Sequence, residues 1–283
     1  MEDNHGDYEQ QQIRAIEEWE DRQPSNLAKA VGFFSAPLTW AAQKIIPPET
    51  MEQALNTAFN AASAFSGNDD LLSEAHLMGF EAATVSDLRQ APLHVSDCLS
   101  ASVTKWGKGL AGAEGAVTGM TGMLGLTADV PALIILAIRT IRKIGYAYGF
   151  DTAREEERPF VLHCLSAGAA NCQEDKKRAI ASAMELKTVL DLPSEAAIRK
   201  AQGEILSKEA FSAAVRNVAK QLCINLARRK AAQVIPIVGG GVGAVMNVFF
   251  LGDIAEASHR LYQRRKIEIQ TIDATCAPAI KKQ

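Results

Sequence analysis

The stretch that most constrains this chain is Ala231–Gly252, AAQVIPIVGGGVGAVMNVFFLG, which carries no charge and is bounded by Arg228, Arg229 and Lys230 on one side and Asp253 on the other. An earlier run, Gly115–Ile138, is similar in kind: Gly115, Gly119, Gly122 and Gly125 punctuate it, and Asp129 is its one charge. As helix, a run of this length reaches about 33 Å against ~30 Å of bilayer hydrocarbon, so length alone permits a span. Energetics are less favourable. The Val, Ile, Leu and Phe residues of Ala231–Gly252 contribute about -3 to -6 kcal/mol on the insertion scale. Gln233, Asn247, Pro236 and the glycines oppose this, each glycine by roughly 1 kcal/mol in a helix interior. In the earlier run Asp129 costs about 2.5–3.5 kcal/mol. Neither run is expected to be a conventional membrane anchor. Gly239/Gly243 and Gly115/Gly119 have the four-residue spacing that lets helix backbones approach closely. The better expectation is a buried central helical hairpin that can contact or dip into lipid.

Everything else reads as amphipathic helix. No period-two run bounded by hairpin turns occurs, so the expected fold class is all-α: a single multi-helix domain built around the two Gly-rich apolar segments. The spacing predicts helices at about 8–23, 25–34, 38–46, 48–65, 70–80, 86–90 and 93–105. Further helices are expected at 130–148, 154–170, 174–190, 194–203, 208–234 and 253–266. The domain is placed at residues 8–266, between a flexible acidic start (1–7) and a flexible tail (267–283).

Charge is unevenly distributed. The chain has net charge -3, and residues 1–22 carry most of the acidic excess, which argues against a nucleic-acid partner bound through its phosphates. Bases cluster beside the apolar runs, at Arg139/Arg142/Lys143, Arg228–Lys230 and Arg260/Arg264–Lys266. That pattern suits the cytoplasmic side of a membrane as well as ordinary solvated helix ends. The five cysteines form no C-x-x-C pair and read as reduced thiols. The opening MEDNHGDYEQQQ is too acidic and polar for a signal segment. Phe33, Phe34 and Trp40, with Lys29 and Lys44 near them, suit a bilayer interface, as do Phe249 and Phe250. The alternative for the first group is a broken helix packed on the core.

One polar cluster invites a chemical reading. Glu256 and His259 have the E-x-x-H spacing that puts both on one helix face, as in di-iron carboxylate bundles. Glu114, Asp129 and Asp253 would add oxygens if the Gly-rich elements pack together. Such a set would hold a metal or run acid–base chemistry. The competing explanation is capping: Asp253 as N-cap with Glu256 at N3, and Asp129 as N-cap before Pro131. A second E-x-x-H is missing. No phosphate-cradling G-x-x-x-x-G-K-[ST] and no G-x-S-x-G elbow occur, and the sequence leaves any cofactor open.

Several ordered strings carry a family resemblance: Ala113-Glu114-Gly115 with Gly119 and Gly122, Asp129-Val130-Pro131-Ala132-Leu133, Tyr148-Gly149-Phe150-Asp151, and Ile235-Pro236-Ile237-Val238-Gly239 through Asn247, Asp253 and His259. Together they resemble the EcsC family from about Tyr8 to Arg265. The resemblance implies a bacterial, membrane-associated protein whose namesake is encoded beside an ABC-type transporter. It transfers no catalytic residue, though Glu114, Asp129, Asp253 and His259 match its motif positions. The leading expectation is therefore a cytoplasmic accessory or interaction protein at the inner face of the cell membrane. Its partner would be membrane lipid or a membrane protein, with a link to transport. The alternatives are a metal-assisted or acid–base enzyme using the Glu/Asp/His cluster, and a helical binding module whose Gly-rich runs only form its core.

Overall fold

Apolar residues recurring at helical spacing become nine α-helices among the described residues, and no strand occurs there. The structure, a computed structural model, describes residues 3–24, 47–61, 68–119, 123–191, 207–230 and 239–280. The helices predicted at 25–34, 38–46 and 194–203, with Phe33, Phe34 and Trp40, lie outside the described residues. In order the helices are α1 (Asp3–Asp21), α2 (Pro48–Ala61), α3 (Asp69–Leu77), α4 (Leu93–Gly119), α5 (Met123–Ala147), α6 (Arg158–Ala169), α7 (Gln173–Leu190), α8 (Lys208–Lys230) and α9 (Gly239–Ile280). Short 3-10 turns at Val85–Gln90 and Glu155–Glu157 precede α4 and α6.

Much of each Gly-rich run lies inside a helix. α4 continues past Lys105 to Gly119, α5 begins at Met123 rather than Val130, and α9 begins at Gly239 rather than Asp253. Both capping explanations therefore fail. Asp253 lies deep inside α9, and Pro131 sits about two turns into α5. The chain is also helical from Asp3 and onward through 267–280, where loose ends were expected.

The reason is packing. Each glycine weakens an isolated helix by about 1 kcal/mol, but several let backbones approach where a side chain would clash. A Cβ on Gly107 would lie 3.1 Å from Leu251 Cδ2, and one on Gly112 would lie 3.3 Å from Val248 Cγ2. One on Gly252 would reach 2.8 Å from Lys108 Cε. As the α4 number rises the α9 number falls, so the two helices run antiparallel. This is the most extensive helix pair in the molecule.

α9 is the central element. It packs on α4, α5 and α6; α5 also contacts α4 and α2, α2 contacts α8, α8 contacts α6, and α7 covers α6. The core is apolar and continuous, from Leu99 on α4 through Ile134 and Ile141 on α5 to Phe160 on α6 and Leu261 on α9. At the end of α5 the chain reverses at Gly149, whose φ of +83° favours glycine. There the Phe150 N–H donates back to the Gly145 carbonyl at 3.0 Å. A Cβ on Gly149 would sit 2.2 Å from the Arg89 backbone nitrogen.

The close backbone approach between α6 and α9 supplies a stability test. A Cβ on Gly168 would come within 2.4 Å of Ile254 Cα. Gly168→Ala is expected to cost about 1–3 kcal/mol or more through overpacking. Gly109→Ala, on α4 with nothing within 4 Å of its Cβ, is expected to gain about 0.5–1 kcal/mol from helix propensity. Urea unfolding of the two variants beside the parent checks the opposite signs.

Candidate functional site

Away from the glycines, the α4–α9 interface is polar. Ser96, Asp97 and Ser100 on α4 face His259, Gln263 and Lys266 on α9. The Asp97 carboxylate accepts hydrogen bonds from Tyr8 on α1 (2.7 Å), from Tyr148 just past α5 (2.6 Å) and from the Gln263 amide (2.9 and 3.0 Å). Tyr148 Oη also contacts His259 Nδ1 at 2.8 Å, and Ser100 Oγ contacts the same nitrogen at 3.1 Å. Gln12 of α1 accepts from Arg260 and Gln263. Burial raises the pKa of Tyr148, and the Asp97 charge adds to it; burial and the bond to Asp97 do the same for Tyr8. Burial pushes His259 down to about 4, so it is neutral near pH 7.

Two buried basic side chains, Arg265 and Lys266, lie on the same helix. Lys266 is fully buried, donates to the Leu88 carbonyl (2.8 Å) and Ser96 Oγ (2.7 Å), and is pushed down to about 7 by burial. Arg265 is doubly paired: two of its nitrogens meet Glu157 at 2.7 and 2.8 Å, and Nη2 meets Asp191 at 2.6 Å. Its guanidinium also stacks over Phe150 and Phe160. Burial acts to lower its pKa, but the two carboxylates outweigh that, leaving a permanent charge. Chemically the arrangement locks α1, α4, α9, α7 and the end of α5 together.

The predicted site residues separate. His259 enters the Asp97 network, whereas Glu256 pairs with Arg22, just past α1, at 2.5 Å. Asp253 and Glu256 line a groove of about 440 Å³ with Trp19, Arg22, Lys176 and Phe249. Lys176 is held there by the Trp19 and Arg22 carbonyls, and burial, with Arg22 nearby, lowers it to about 8. The side chains of Glu114 and Asp129 lie outside the described residues. Among the described residues no group of three or more His, Cys, Asp or Glu side chains is placed to hold a metal. Phe249 is half exposed while its neighbour Phe250 is buried in the core.

From the sequence, Asp97, Gln263 and Trp106 were not singled out, and Tyr148 stood out only within a family string. Asp97 and Gln263 carried a usable signal: Ser96, Asp97 and Ser100 form a polar stripe at helical spacing, and His259, Gln263 and Lys266 form another. Trp106 stands on α4 with 73% of its surface exposed, and Leu110 one turn on is 45% exposed. Gly107 faces Thr140, so Lys105, Trp106 and Lys108 stand level with Arg139 and Lys143 of α5. On α9, Val245 and Phe249 are each 49% exposed, and both lie within the uncharged run that meets this end of α4. The glycine-packed end thus presents exposed apolar side chains next to a belt of bases.

The model of the EcsC protein family matches residues 10–267. This chain belongs to the EcsC family. A curated relative, an uncharacterized protein YdbA of Bacillus subtilis (strain 168), is 27% identical over 91% of this chain and 92% of its own length. No solved structure matches. The EcsC match takes in both ends of the α4–α9 pair, from the Asp97 network to the glycine packing, and leaves Tyr8 just outside.

His259 gives the network a pH signature. Its pKa in the folded chain, about 4, lies below the ordinary unfolded value of about 6.5. Between those values the unfolded chain binds the extra proton, so stability is fully present above pH 6.5 and is lost as pH falls toward 4. From pH 7 to pH 5 this group alone is expected to remove about 2 kcal/mol. Urea unfolding at both pH values checks it, and His259→Gln should flatten that part of the profile.

Proposed function

We propose that this EcsC-family protein acts at a membrane surface, as an accessory that meets lipid or a membrane protein with its glycine-packed end. The observation that carries the reading is the exposed pair Trp106 and Leu110 on α4, with Lys105, Lys108 and Arg139 close by, together with the exposure of Val245 and Phe249 on α9. Tryptophan with flanking lysines suits the boundary between headgroups and acyl chains. Beyond that belt, the chain between Lys108 and Arg139 carries only Glu114 and Asp129 as charges.

The magnitudes favour association over insertion. Burying a large apolar side chain is worth about 1.5–3 kcal/mol when it starts fully exposed, and roughly half that here. Each base near an anionic surface adds about 1 kcal/mol. Together these give firm but reversible binding that salt weakens without abolishing. No helix among the described residues is long and apolar enough to cross a membrane, and the proposal asks only for contact at the depth of an interfacial helix. A transporter of the ABC type, implied by the family resemblance, would meet the protein at this same end.

Flotation with vesicles containing anionic phospholipid tests the proposal. The parent is expected to float at low salt, and the double variant Trp106→Ala/Phe249→Ala to lose about tenfold or more in partitioning. Parent protein that stays at the bottom of the gradient at low salt would refute it.

A further inference from the structure

One face of α5 carries Arg139, Arg142, Lys143 and Tyr146 at helical spacing. With Ala58 of α2 they line a crevice between the two helices, and its described lining includes no acid. Arg139 and Lys143 are engaged within the chain, Lys143 by Asp70 of α3. Arg142 and Tyr146 differ. They are 6% and 3% exposed, and the Arg142 carbonyl accepts the Thr152 hydroxyl. Among the described residues, however, no carboxylate, carbonyl or hydroxyl takes up the Arg142 guanidinium, and none bonds the Tyr146 hydroxyl. Arginine keeps its charge in proteins, and a buried charge without a counter-charge is costly. A buried hydroxyl with no acceptor adds to that cost. The contrast with α9 is direct: Arg265 meets two carboxylates there, and Lys266 a carbonyl and a hydroxyl.

We propose that the crevice between α2 and α5 is an oxyanion site for a phosphate group, bonded by Arg142 and Tyr146. The two residues stand one helical turn apart on one side of α5, close enough for a single acceptor to meet both. Arg139 and Lys143 keep their own partners and are not needed as ligands. The room is about 20 Å³, space for about one water-sized atom. One phosphate oxygen therefore enters, and the rest of the tetrahedron stays in water at the mouth. That geometry sets the preference. Chloride must shed its whole hydration shell to reach the same depth, whereas a phosphate desolvates one oxygen. A carboxylate also inserts one oxygen, but it carries a single charge where a phosphate monoester carries about -1.5 to -2 at pH 7. The guanidinium bond to such an oxygen is charge-assisted, and the phenol adds a second donor. The inference stands apart from the membrane-surface reading. Soluble phosphate monoesters and the headgroup of phosphatidic acid present the same group, and the experiment separates them.

The full chain, in phosphate-free buffer at pH 7, is titrated calorimetrically with inorganic phosphate and with glycerol phosphate. Chloride and acetate at equal ionic strength are the controls. The parent is expected to bind both phosphates saturably, to bind acetate about tenfold or more weakly, and to show no saturable response to chloride. Arg142→Met should weaken phosphate binding about tenfold or more, and Tyr146→Phe severalfold. Urea unfolding without phosphate separates a ligand site from a structural role. Neither variant should lose stability there, because each removes a polar group with no partner in the chain. Added phosphate should then stabilise the parent and leave Arg142→Met unchanged. No phosphate binding by the parent, equal binding of acetate or chloride, or parent-like binding by both variants overturns the proposal. So does a large stability loss in phosphate-free Tyr146→Phe, which removes a single oxygen and decides the matter if Arg142→Met does not fold. Flotation on phosphatidylcholine vesicles containing phosphatidic acid then names the source. Loss of flotation in Arg142→Met assigns the site to a headgroup, and flotation equal to the parent assigns it to a soluble monoester. Absence of phosphate binding leaves the membrane-surface reading, which rests on Trp106 and Phe249, to its own test.

Discussion

Ser96 and Ser100 of α4 stand against Lys266 and His259 of α9, and farther along Gly107 and Gly112 stand against Leu251 and Val248. One antiparallel pairing thus spans most of both helices, with two kinds of adhesion. At one end directional hydrogen bonds around Asp97 fix register, because a shift of one residue would leave buried donors and acceptors without partners. At the other end, glycines let the backbones close and dispersion takes over. The outer helices are arranged around this pair: α5 and α6 flank it, α2, α7 and α8 cover those flanks, and α1 is held by Tyr8, Gln12 and the Arg22–Glu256 pair.

The buried charges sharpen the same constraint. A lone buried arginine would be costly, and Arg265 is tolerated because Glu157 and Asp191 take up its donors and two aromatic rings cover its faces. Those carboxylates come from the turn before α6 and the end of α7, so the ion pairs hold three parts of the chain that are distant in sequence. Lys266 and His259 adapt differently, by shifting toward their neutral forms. Removing water from this end of the molecule is thereby affordable, and the rigidity it confers supports the less polar end that faces outward.

The all-α class was legible because apolar spacing of three and four recurs along nearly every described segment. The importance of the two Gly-rich runs was legible too, but their local form was misread. Glycine and proline signal helix ends when tertiary contacts are unknown. In this chain Gly107, Gly112 and Gly252 sit inside helices because a packed neighbour occupies the space their side chains would need. That misreading turned Asp253 into a cap; the E-x-x-H spacing grouped Glu256 with His259, although one pairs with Arg22 at the surface and the other joins the Asp97 network. Asp97 was passed over because its partners, Tyr8, Tyr148 and Gln263, are scattered along the sequence and only the fold makes them neighbours. Trp106 lacked any signal at all, since one tryptophan on a helix reads equally as core.

The register of α4 against α9 can be measured directly by disulfide cross-linking, with Cys98, Cys172 and Cys276 replaced by serine. The pair Gly112→Cys and Val248→Cys is predicted to close under mild oxidation and to yield a single linked peptide on digestion. Failure of that pair, together with ready closure of Gly112→Cys with Gly252→Cys one turn away, would contradict the pairing on which the fold, the polar network and the outward-facing apolar end all depend.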